Sequence, residues 1–412
     1  MGPPGEAALI GLLDGGCVQP VFQPIVELPA GRVVAYEALA RGPHGHRLEA
    51  PTALFAAARS LGLLTALDAM CLRAALGAAM SGGLTSPWTL FVNTEPDSQG
   101  FEVLATLAAS STQPVVVELT ERALTDDPAD VLDAVALVRR LGWGVALDDV
   151  GVNPDSLALL PLIAPDVVKL DASLVQQRPE EHTARVFSAV AAEVERTGCL
   201  VVAEGIESPV HLRAALGLGA HLGQGWLFGR PAALPTPPDL PPGEPLQLCA
   251  ALASRTDRTP FGVAAAARRV GTTNKALMLA MSTHLERQAA AVGESCLVLA
   301  TFQTAAAFAR AAGRYTALAD GNAYVAVFGS GLSDHPARGV RGIDLEVGEP
   351  LSREWDVVVV GAHYAVVLTA RPTTGTEWEY VLSHDRDLAV RAARVLMSRI
   401  TRVAADPAVP PG

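Results

Sequence analysis

Residues 144–149 read GVALDD, and residues 166–171 read DVVKLD. Each stretch is a short run of strand-forming residues that ends in charged side chains. Charges are costly to bury inside a strand, so we expect them at strand ends that face a site. The same pattern recurs in five other runs of the first half of the chain: VVAYEAL at 33–39, TLFVN at 89–93, VVVEL at 115–119, LVVAEG at 200–205 and GQGWLFG at 223–229.

These runs alternate with helical stretches, which is typical of parallel strands joined by crossover helices. The run VFQPIVEL at 21–28 brings the strand count to eight, and the tight turn at 29–31 predicts that the first two strands are antiparallel. We therefore predict a (β/α)₈ TIM-like barrel over residues 1–232, in which catalysis belongs at the C-terminal ends of the strands. The helical stretches that alternate with the strands lie at 52–80, 101–110, 128–141, 181–197 and 208–218.

A proline-rich stretch separates this barrel from the rest of the chain. Residues 233–245 carry prolines at a density that neither a helix nor a central strand accepts, which predicts a semi-rigid linker. Residues 246–403 then combine apolar helical segments, the first at 246–253, with short strands, and they predict a second, smaller α/β domain. Residues 404–412 are expected to form a disordered tail.

The bulk composition limits the classes of function. A net charge of −12 argues against a general nucleic-acid binder, and the weak helical pair near 260–285 is little support for one. The five cysteines form no CxxC pair, which favours reduced thiols over disulfides or a zinc site. The N-terminus lacks the features of a secretory signal, and no apolar run reaches the ~20 residues of a membrane span. We therefore expect a cytoplasmic protein without a membrane role.

The strand-end residues are the ones that metal-assisted hydrolysis of a phosphodiester needs. Mg²⁺ prefers oxygen ligands, and two ions ~3.5–4 Å apart are able to activate water and neutralise a phosphate together. Lys169, one of only two lysines, would orient the water or stabilise charge, Glu204 would act as general base, and Gln224 would fix Glu204 or nearby waters. A single carboxylate at a strand end is more often a helix N-cap, so the argument rests on the whole set. The predicted ligands are Glu37, Asn93, Glu118 and Asp148 for one ion, with Asp149 for a second.

These motifs also resemble, in order and over residues 6–232, the EAL-domain family. The resemblance implies hydrolysis of cyclic di-GMP to linear pGpG with Mg²⁺ or Mn²⁺, and it implies the same metal ligands, lysine and base. It further implies substrate contacts from Gln23, Leu39, Arg41 and Asp171, and a loop-anchoring role for Glu121. The motifs that carry it are Gln23-Pro24-Ile25, the run YEALAR at 36–41, FVN at 91–93, ELTE at 118–121, Asp148-Asp149, VKLD at 168–171, AEGIE at 203–207 and QGWLFGRP at 224–231.

One loop departs from the family pattern. Family members typically read DDFGTGYSSL, whereas residues 148–157 here read DDVGVNPDSL. The predicted metal-binding and catalytic residues are retained, whereas the loop that supports them differs. A second hypothesis is therefore a cyclic di-GMP receptor with weak or no turnover. EAL-type barrels pair near this loop, and we therefore expect a homodimer in which the second domain influences the loop.

The second half of the chain resembles the DICT sensory domain over residues 246–403. Such domains accompany cyclic di-GMP enzymes, and the resemblance implies a sensor whose ligand is unknown. Phe302, Trp355, His363 and Tyr364 are candidates for a ligand pocket, with ordinary core packing as the alternative. The features that carry the resemblance are TFQ at 301–303, Tyr315, VFG at 327–329, Arg341-Gly342, Glu354-Trp355, GAHY at 361–364 and SHDR at 383–386.

Overall fold

The computed structural model describes residues 18–94, 113–120, 128–152, 157–235, 243–248, 259–293 and 296–400, together with residues 9, 11, 12, 106 and 108. The chain divides into two compact units. The first comprises residues 1–123, 133–152 and 165–252, and the second comprises residues 124–132, 153–164 and 253–412. Each unit is described by itself below.

The first unit is a closed barrel of eight strands, as the sequence predicts. Strand β1 pairs antiparallel with both β2 and β8, whereas the other neighbours are parallel, which confirms the expected antiparallel first pair. The last predicted strand, however, ends early, because Gly225 turns the chain with a φ of 156° after Gln224. The strands are β1 Gln19–Glu27, β2 Val33–Arg41, β3 Thr89–Asn93, β4 Val115–Thr120, β5 Gly144–Val150, β6 Val167–Leu170, β7 Leu200–Ala203 and β8 Leu222–Gln224.

The helices lie close to the predicted positions, with two exceptions. The stretch predicted as one helix at 52–80 is two helices, because the chain turns at Gly62 with a φ of 66°. The helix predicted at 101–110 lies almost wholly outside the described residues. In chain order the helices up to residue 217 are α1 Pro51–Ser60, α2 Leu64–Ser81, α3 Pro128–Arg140, α4 Leu160–Ile163, α5 Ala172–Gln176, α6 Glu181–Thr197 and α7 Pro209–Gly217. Of these, α4 and the first five residues of α3 belong to the second unit.

Helix α2 is the one described helix whose length and composition would allow it to cross a membrane. With 18 residues, it is shorter than the ~20 apolar residues that the sequence analysis takes as a membrane span. In the folded unit, 39% of the helix is buried, and the buried residues include the carboxylate of Asp68. The helix packs against β1, β2 and β3, as an outer helix of a barrel does.

The chain after the barrel returns to the barrel interior. Leu246 and Leu248 are half-buried and pack against interior residues such as Val34 and Val116. The carbonyl of Val33 also accepts a 2.8 Å hydrogen bond from the backbone N–H of Gly243. The predicted helix at 246–253 is therefore wrong for 246–248, which are not helical, and the residues after them lie outside the described part.

The second unit is built on a seven-stranded mixed sheet in the order β12-β11-β10-β13-β14-β15-β9. The apolar run at 357–368 forms two antiparallel strands joined at 362–364. The strands are β9 Gly271–Asn274, β10 Cys296–Thr304, β11 Tyr324–Ser330, β12 Arg341–Asp344, β13 Trp355–Gly361, β14 Ala365–Pro372 and β15 Glu377–Ser383. The helices are α8 Pro260–Ala267, α9 Lys275–Val292, α10 Ala305–Ala309, α11 Ala312–Ala319 and α12 Arg386–Met397.

Phe302, Trp355 and Tyr364, proposed as part of a sensory pocket, pack against one hydrophobic core through separate ring contacts. Phe302 contacts Phe308 and Tyr315 edge to face, with ring centroids 5.3 and 5.4 Å away. Trp355 instead packs edge to face on Trp378, with centroids 5.5 Å apart. These are the contacts of core packing, the alternative reading. Tyr364 contacts the ring of His384 edge to face, with ring centroids 6.0 Å apart.

Carboxylates are also buried in the second unit. Asp356 on β13 is fully buried between the hydroxyl groups of Thr301 on β10 and Thr369 on β14, both of which donate to it. Glu354, 5% exposed, accepts a 3.0 Å hydrogen bond from the backbone N–H of Phe261 at the start of α8. Burial raises the pKa of Glu354 to about 7, and it raises the pKa of Asp356 well above its usual value.

Candidate active site

The ammonium group of Lys169 lies at the centre of a ring of carboxylates. Its nitrogen is 2.8 Å from Glu118 Oε1, 2.8 Å from Glu204 Oε1 and 2.9 Å from Asp148 Oδ1. Glu37 Oε1 is slightly further away, at 3.6 Å. Lys169 itself is only 1% exposed, so these contacts lie in a medium where charges interact strongly.

The barrel brings these residues together because each lies at the same end of its strand. Lys169, Glu118 and Asp148 lie at or near the C-terminal ends of β6, β4 and β5, and Glu204 directly follows β7. In register, Asn93 pairs with Glu118 across β3 and β4, and Gln23 pairs with Glu37 across β1 and β2. The strand-end ring that the sequence predicts therefore forms in the described barrel.

Glu37 is held by two amide side chains, those of Gln224 and Asn93. Gln224 Nε2 donates to Glu37 Oε2 at 2.6 Å, and Asn93 Nδ2 donates to Glu37 Oε1 at 3.1 Å. Gln224 Nε2 is also 3.2 Å from Gln23 Oε1, and Gln23 in turn donates to the carbonyl oxygen of Gly229. The sequence predicts that Gln224 fixes Glu204 or nearby waters, whereas in the structure its amide donates to Glu37.

Burial and mutual repulsion perturb the charges of this site. Burial, followed by the charge of Glu37, raises the pKa of Glu118 well above its usual value. Burial raises the pKa of Glu204 to about 8 despite the nearby Lys169. For Glu37, burial is outweighed by Lys169 and the hydrogen bond from Gln224, which together lower its pKa. Burial alone would lower the pKa of Lys169, but Glu118 and the other carboxylates raise it.

Asp149 occupies a backbone conformation that a non-glycine residue seldom adopts. Its φ is 58°, in the left-handed region, and its side chain remains exposed beside the buried Asp148. Strain of this kind is often kept at functional sites. Partial burial, followed by the charge of Asp148, raises the pKa of Asp149 to about 6.

The chain after Asp149 is held from a neighbouring helix. His182 of α6 places Nε2 2.7 Å from the carbonyl oxygen of Gly151. Gly151 has a φ of 109°, and a Cβ there would lie 2.6 Å from Cδ1 of Leu174, so glycine is required. Sequence reasoning missed His182, because its position on α6 gives no signal of this contact. Residues 153–156, most of the altered loop, lie outside the described residues.

The donor set of the ring fits a hard divalent cation. Carboxylate oxygens of Asp148, Asp149 and Glu204 all lie within 4.8 Å of one another. Oε1 of Glu118 and Oδ1 of Asp148 lie beside the ammonium of Lys169, whereas Oε2 of Glu118 is buried with no hydrogen-bond donor among the described residues. Buried acceptors without donors are costly, and an all-oxygen set is what Mg²⁺ and Mn²⁺ prefer. The structure thus groups Glu204 with the predicted ligands Asp148 and Asp149.

Two cavities adjoin the ring and share Glu37, Leu39 and Asp148 among their lining residues. The larger, of about 320 Å³, extends between β2, α1 and α2, where its lining includes Phe55 and Leu72. The smaller, of about 280 Å³, is lined by Glu37, Leu39, Asp148 and by Gln23, Glu204, Gly205, Glu207, Gln224, Gly225 and Trp226.

The remaining predicted substrate contacts are less direct. Arg41 and Asp171 are not among the residues lining either cavity. Asp171 caps α5 by accepting a 2.9 Å hydrogen bond from the backbone N–H of Ser173, which is the ordinary use of such a carboxylate. Arg41 Nη1 donates to the carbonyl oxygen of Ala40. Glu121 lies outside the described residues.

Comparison with known families matches the two halves separately. Residues 7–231 match the EAL domain family. Residues 261–372 match the DICT family, described as a sensory domain in diguanylate cyclases and two-component systems. Both resemblances drawn from the sequence motifs are confirmed, in the same order along the chain.

Individual relatives match the first half. The cyclic di-GMP phosphodiesterase RocR of Pseudomonas aeruginosa is 30% identical over 238 residues, which cover 55% of this chain and 61% of the relative. A second cyclic di-GMP phosphodiesterase of that organism is 30% identical over 221 residues, which cover 51% of this chain and 38% of the relative. The chain thus spans less than two thirds of either relative.

Among solved structures, the PaMucR phosphodiesterase in complex with c-di-GMP aligns with a TM-score of 0.50 at 23% identity. The alignment covers 56% of this chain and 98% of that one. At this identity the likeness shows the barrel fold.

Proposed function

The chain belongs to the EAL-domain family, and on that premise we propose that it hydrolyses cyclic di-GMP to the linear dinucleotide pGpG with Mg²⁺ or Mn²⁺ bound. The observation that carries the proposal is the ring of four carboxylates around Lys169 at the strand ends. A structural salt bridge needs one partner for a lysine, whereas this arrangement collects negative charge at a cavity.

Two bound ions would act as Lewis acids on the phosphate and lower the pKa of a water molecule. Glu37, Asn93, Glu118, Asp148 and Asp149 would hold them, as the sequence predicts, with Glu204 close enough to share in the site.

Side chains of the site transfer the proton, orient the water and hold Glu37 in place. Glu204 accepts the proton of the attacking water as the new P–O bond forms. The bond from phosphorus to one ribose 3′ oxygen breaks, and that oxygen takes up a proton from solvent to become a hydroxyl group. Lys169 orients the water beside Glu204 and stabilises negative charge on the phosphate, since its ammonium contacts Glu204 directly. Gln224 keeps Glu37 oriented through a 2.6 Å hydrogen bond.

The test is direct measurement of product. The full chain, incubated with cyclic di-GMP and Mg²⁺ or Mn²⁺, is expected to release pGpG, detectable by chromatography. Glu204→Gln and Asn93→Ala are expected to reduce turnover by roughly 100-fold or more. The matched control is Glu27→Gln, because β1 runs antiparallel and places Glu27 at the opposite end of the barrel. No product from folded protein with either metal would refute the proposal.

The receptor hypothesis is favoured by one observation, the altered stretch 150–156 next to Asp149. A receptor would bind cyclic di-GMP with Mg²⁺ present and return it intact. Calorimetry followed by chromatography of the recovered nucleotide distinguishes the two functions. Recovery of unchanged cyclic di-GMP after hours supports the receptor, and conversion to pGpG rejects it.

We also propose that the second unit regulates the barrel in response to a ligand still to be identified, and that the protein acts as a cytoplasmic homodimer. The DICT match supports a sensory role. Light scattering of the full chain tests the dimer. Comparing turnover of residues 1–248 with that of the full chain tests regulation, and equal rates and metal affinities would contradict it.

A further inference from the structure

Trp226 is an exposed aromatic side chain on the wall of the smaller cavity. It lines that cavity together with Glu204 and Gln224, yet 52% of its surface remains exposed. A single exposed apolar side chain is common on protein surfaces and needs no explanation. Trp226 differs from such a residue because it lines the same cavity as Glu204, the proposed general base.

The backbone around Trp226 is tightly fixed. The carbonyl oxygen of Gln224 accepts a hydrogen bond from the backbone N–H of Ile206 at 3.0 Å, and that of Ile206 accepts one from Leu227 at 3.0 Å. Between them, Gly225 approaches Ile206 so closely that a Cβ would lie 2.2 Å from its carbonyl oxygen. Trp226 is therefore presented from a rigid turn, with Gln224 directed inward to Glu37.

Arg230 supports the indole ring. Its guanidinium carbon lies 3.8 Å from the ring centroid, within the range of a cation–π contact. Trp226 still keeps about half of its surface open with Arg230 in place. The pair offers a flat aromatic surface and a positive charge at the edge of a cavity whose polar wall residues include Glu204, Glu207 and Gln224.

We propose that Trp226, supported by Arg230, stacks on one guanine base of cyclic di-GMP and thereby determines affinity for the substrate. The proposal rests on the proposed function, since it names a contact within the same site. Aromatic side chains bind bases by stacking, and removing one such ring weakens binding by roughly 10- to 100-fold. The base lies in the smaller cavity, which places the attached phosphodiester near Glu204 and Asp148.

Binding is measured by tryptophan fluorescence in a Glu204→Gln background with Mg²⁺, titrated with cyclic di-GMP. We expect stacking to quench the emission. Trp226→Phe should abolish that quench while changing the Kd by less than about threefold, because phenylalanine also stacks. Trp88→Phe is the matched control, since Trp88 precedes β3 at the other end of the barrel, and it should retain the quench.

Turnover is measured in the otherwise native chain. Trp226→Ala should raise KM by roughly 10- to 100-fold and leave kcat within about threefold, because the ring binds the base and not the reacting phosphate. An unchanged KM, a fall confined to kcat, or a quench that survives Trp226→Phe would overturn the proposal. Because Trp226 is exposed, these variants should unfold at the same temperature as the native chain.

The outcomes separate this proposal from the proposed hydrolysis. A quench that depends on Trp226 without any pGpG supports the stacking contact and refutes hydrolysis. Formation of pGpG with no effect of Trp226→Ala refutes the contact alone. Neither quench nor product refutes both.

Discussion

The ammonium nitrogen of Lys169 lies 2.8 Å from Oε1 of Glu118, and both side chains are almost fully buried. One lysine is not enough to neutralise the carboxylates around it, and Oε2 of Glu118 has no hydrogen-bond donor among the described residues. Buried charge of this kind opposes folding unless a cation compensates it. Under the proposed function, a bound metal ion would supply that compensation.

Replacing Glu118 tests whether its buried charge opposes folding. Glu118→Gln should raise the free energy of unfolding by about 1 kcal/mol in the presence of a chelator, because it removes one buried charge without changing the shape. The same change should lower phosphodiesterase turnover by roughly 100-fold. Urea unfolding with EDTA and product analysis measure the two effects. Glu27→Gln should change neither, and a destabilised Glu118→Gln would contradict the argument.

Gln224 is predicted to act through Glu37. Gln224→Met removes the 2.6 Å hydrogen bond to Glu37 and should raise the Mg²⁺ concentration for half-maximal activity by roughly 10-fold. Gln23→Met is the matched comparison, because within the described part of the chain Gln23 bonds to Gln224 and to Gly229 but not to Glu37. Its effect on metal dependence should be smaller. Equal effects of the two variants would show that Gln224 does not position the ligand.

The position of the site could be predicted from the sequence, whereas its internal contacts could not. Parallel strands bring their C-terminal ends to one face, so a carboxylate that ends an apolar run is placed by topology alone. The partner of Gln224 depends on barrel closure, which sets β8 beside β1 and brings Gln224 to Glu37. Asp171 caps α5 through a local hydrogen bond, whereas the family motif implies only a contact with substrate. The packing of Leu246 and Leu248 could not be predicted, because so short a stretch shows no hydrophobic periodicity.

His182 is predicted to hold the segment after Asp149. His182→Ala removes the contact to the carbonyl oxygen of Gly151 and should lower turnover by about 3- to 10-fold, the loss expected for one hydrogen bond. His182→Gln retains a donor and should restore part of the activity. Metal titrations of both variants show whether the loss arises at Asp149. Full activity of His182→Ala at every metal concentration would refute a positioning role.

Glu354 should make the stability of the second unit depend on pH. Burial raises its pKa to about 7 from 4.5, so the folded state holds the proton more tightly than the unfolded chain. This contribution is complete below the unfolded value and is lost as pH rises through about 7. Asp356, whose pKa is also raised, acts in the same direction, and nearby Arg371 opposes the shift at Glu354.

The free energy of unfolding should therefore be about 1–3 kcal/mol lower at about pH 8 than at about pH 5. Glu354→Gln, which can still accept from the N–H of Phe261, should remove much of that fall. The difference between native chain and variant isolates Glu354 from the other titrating groups. A variant with the same pH dependence as the native chain would refute its role.

The end of the barrel domain is predicted to lie beyond the proline-rich stretch. Leu246 and Leu248 pack on interior residues of the barrel, and Cδ1 of Leu248 would lie 2.9 Å from a Cβ placed on Gly144. A fragment of residues 1–235 loses both leucines, whereas a fragment of residues 1–248 keeps them. Half-burying two leucines is worth about 2–3 kcal/mol, so the shorter fragment should be less stable by that amount. In the longer fragment, replacing both leucines with serine should reproduce the loss. Urea unfolding compares the three proteins, and equal stability of the two fragments would show that residues 243–248 contribute nothing to the barrel.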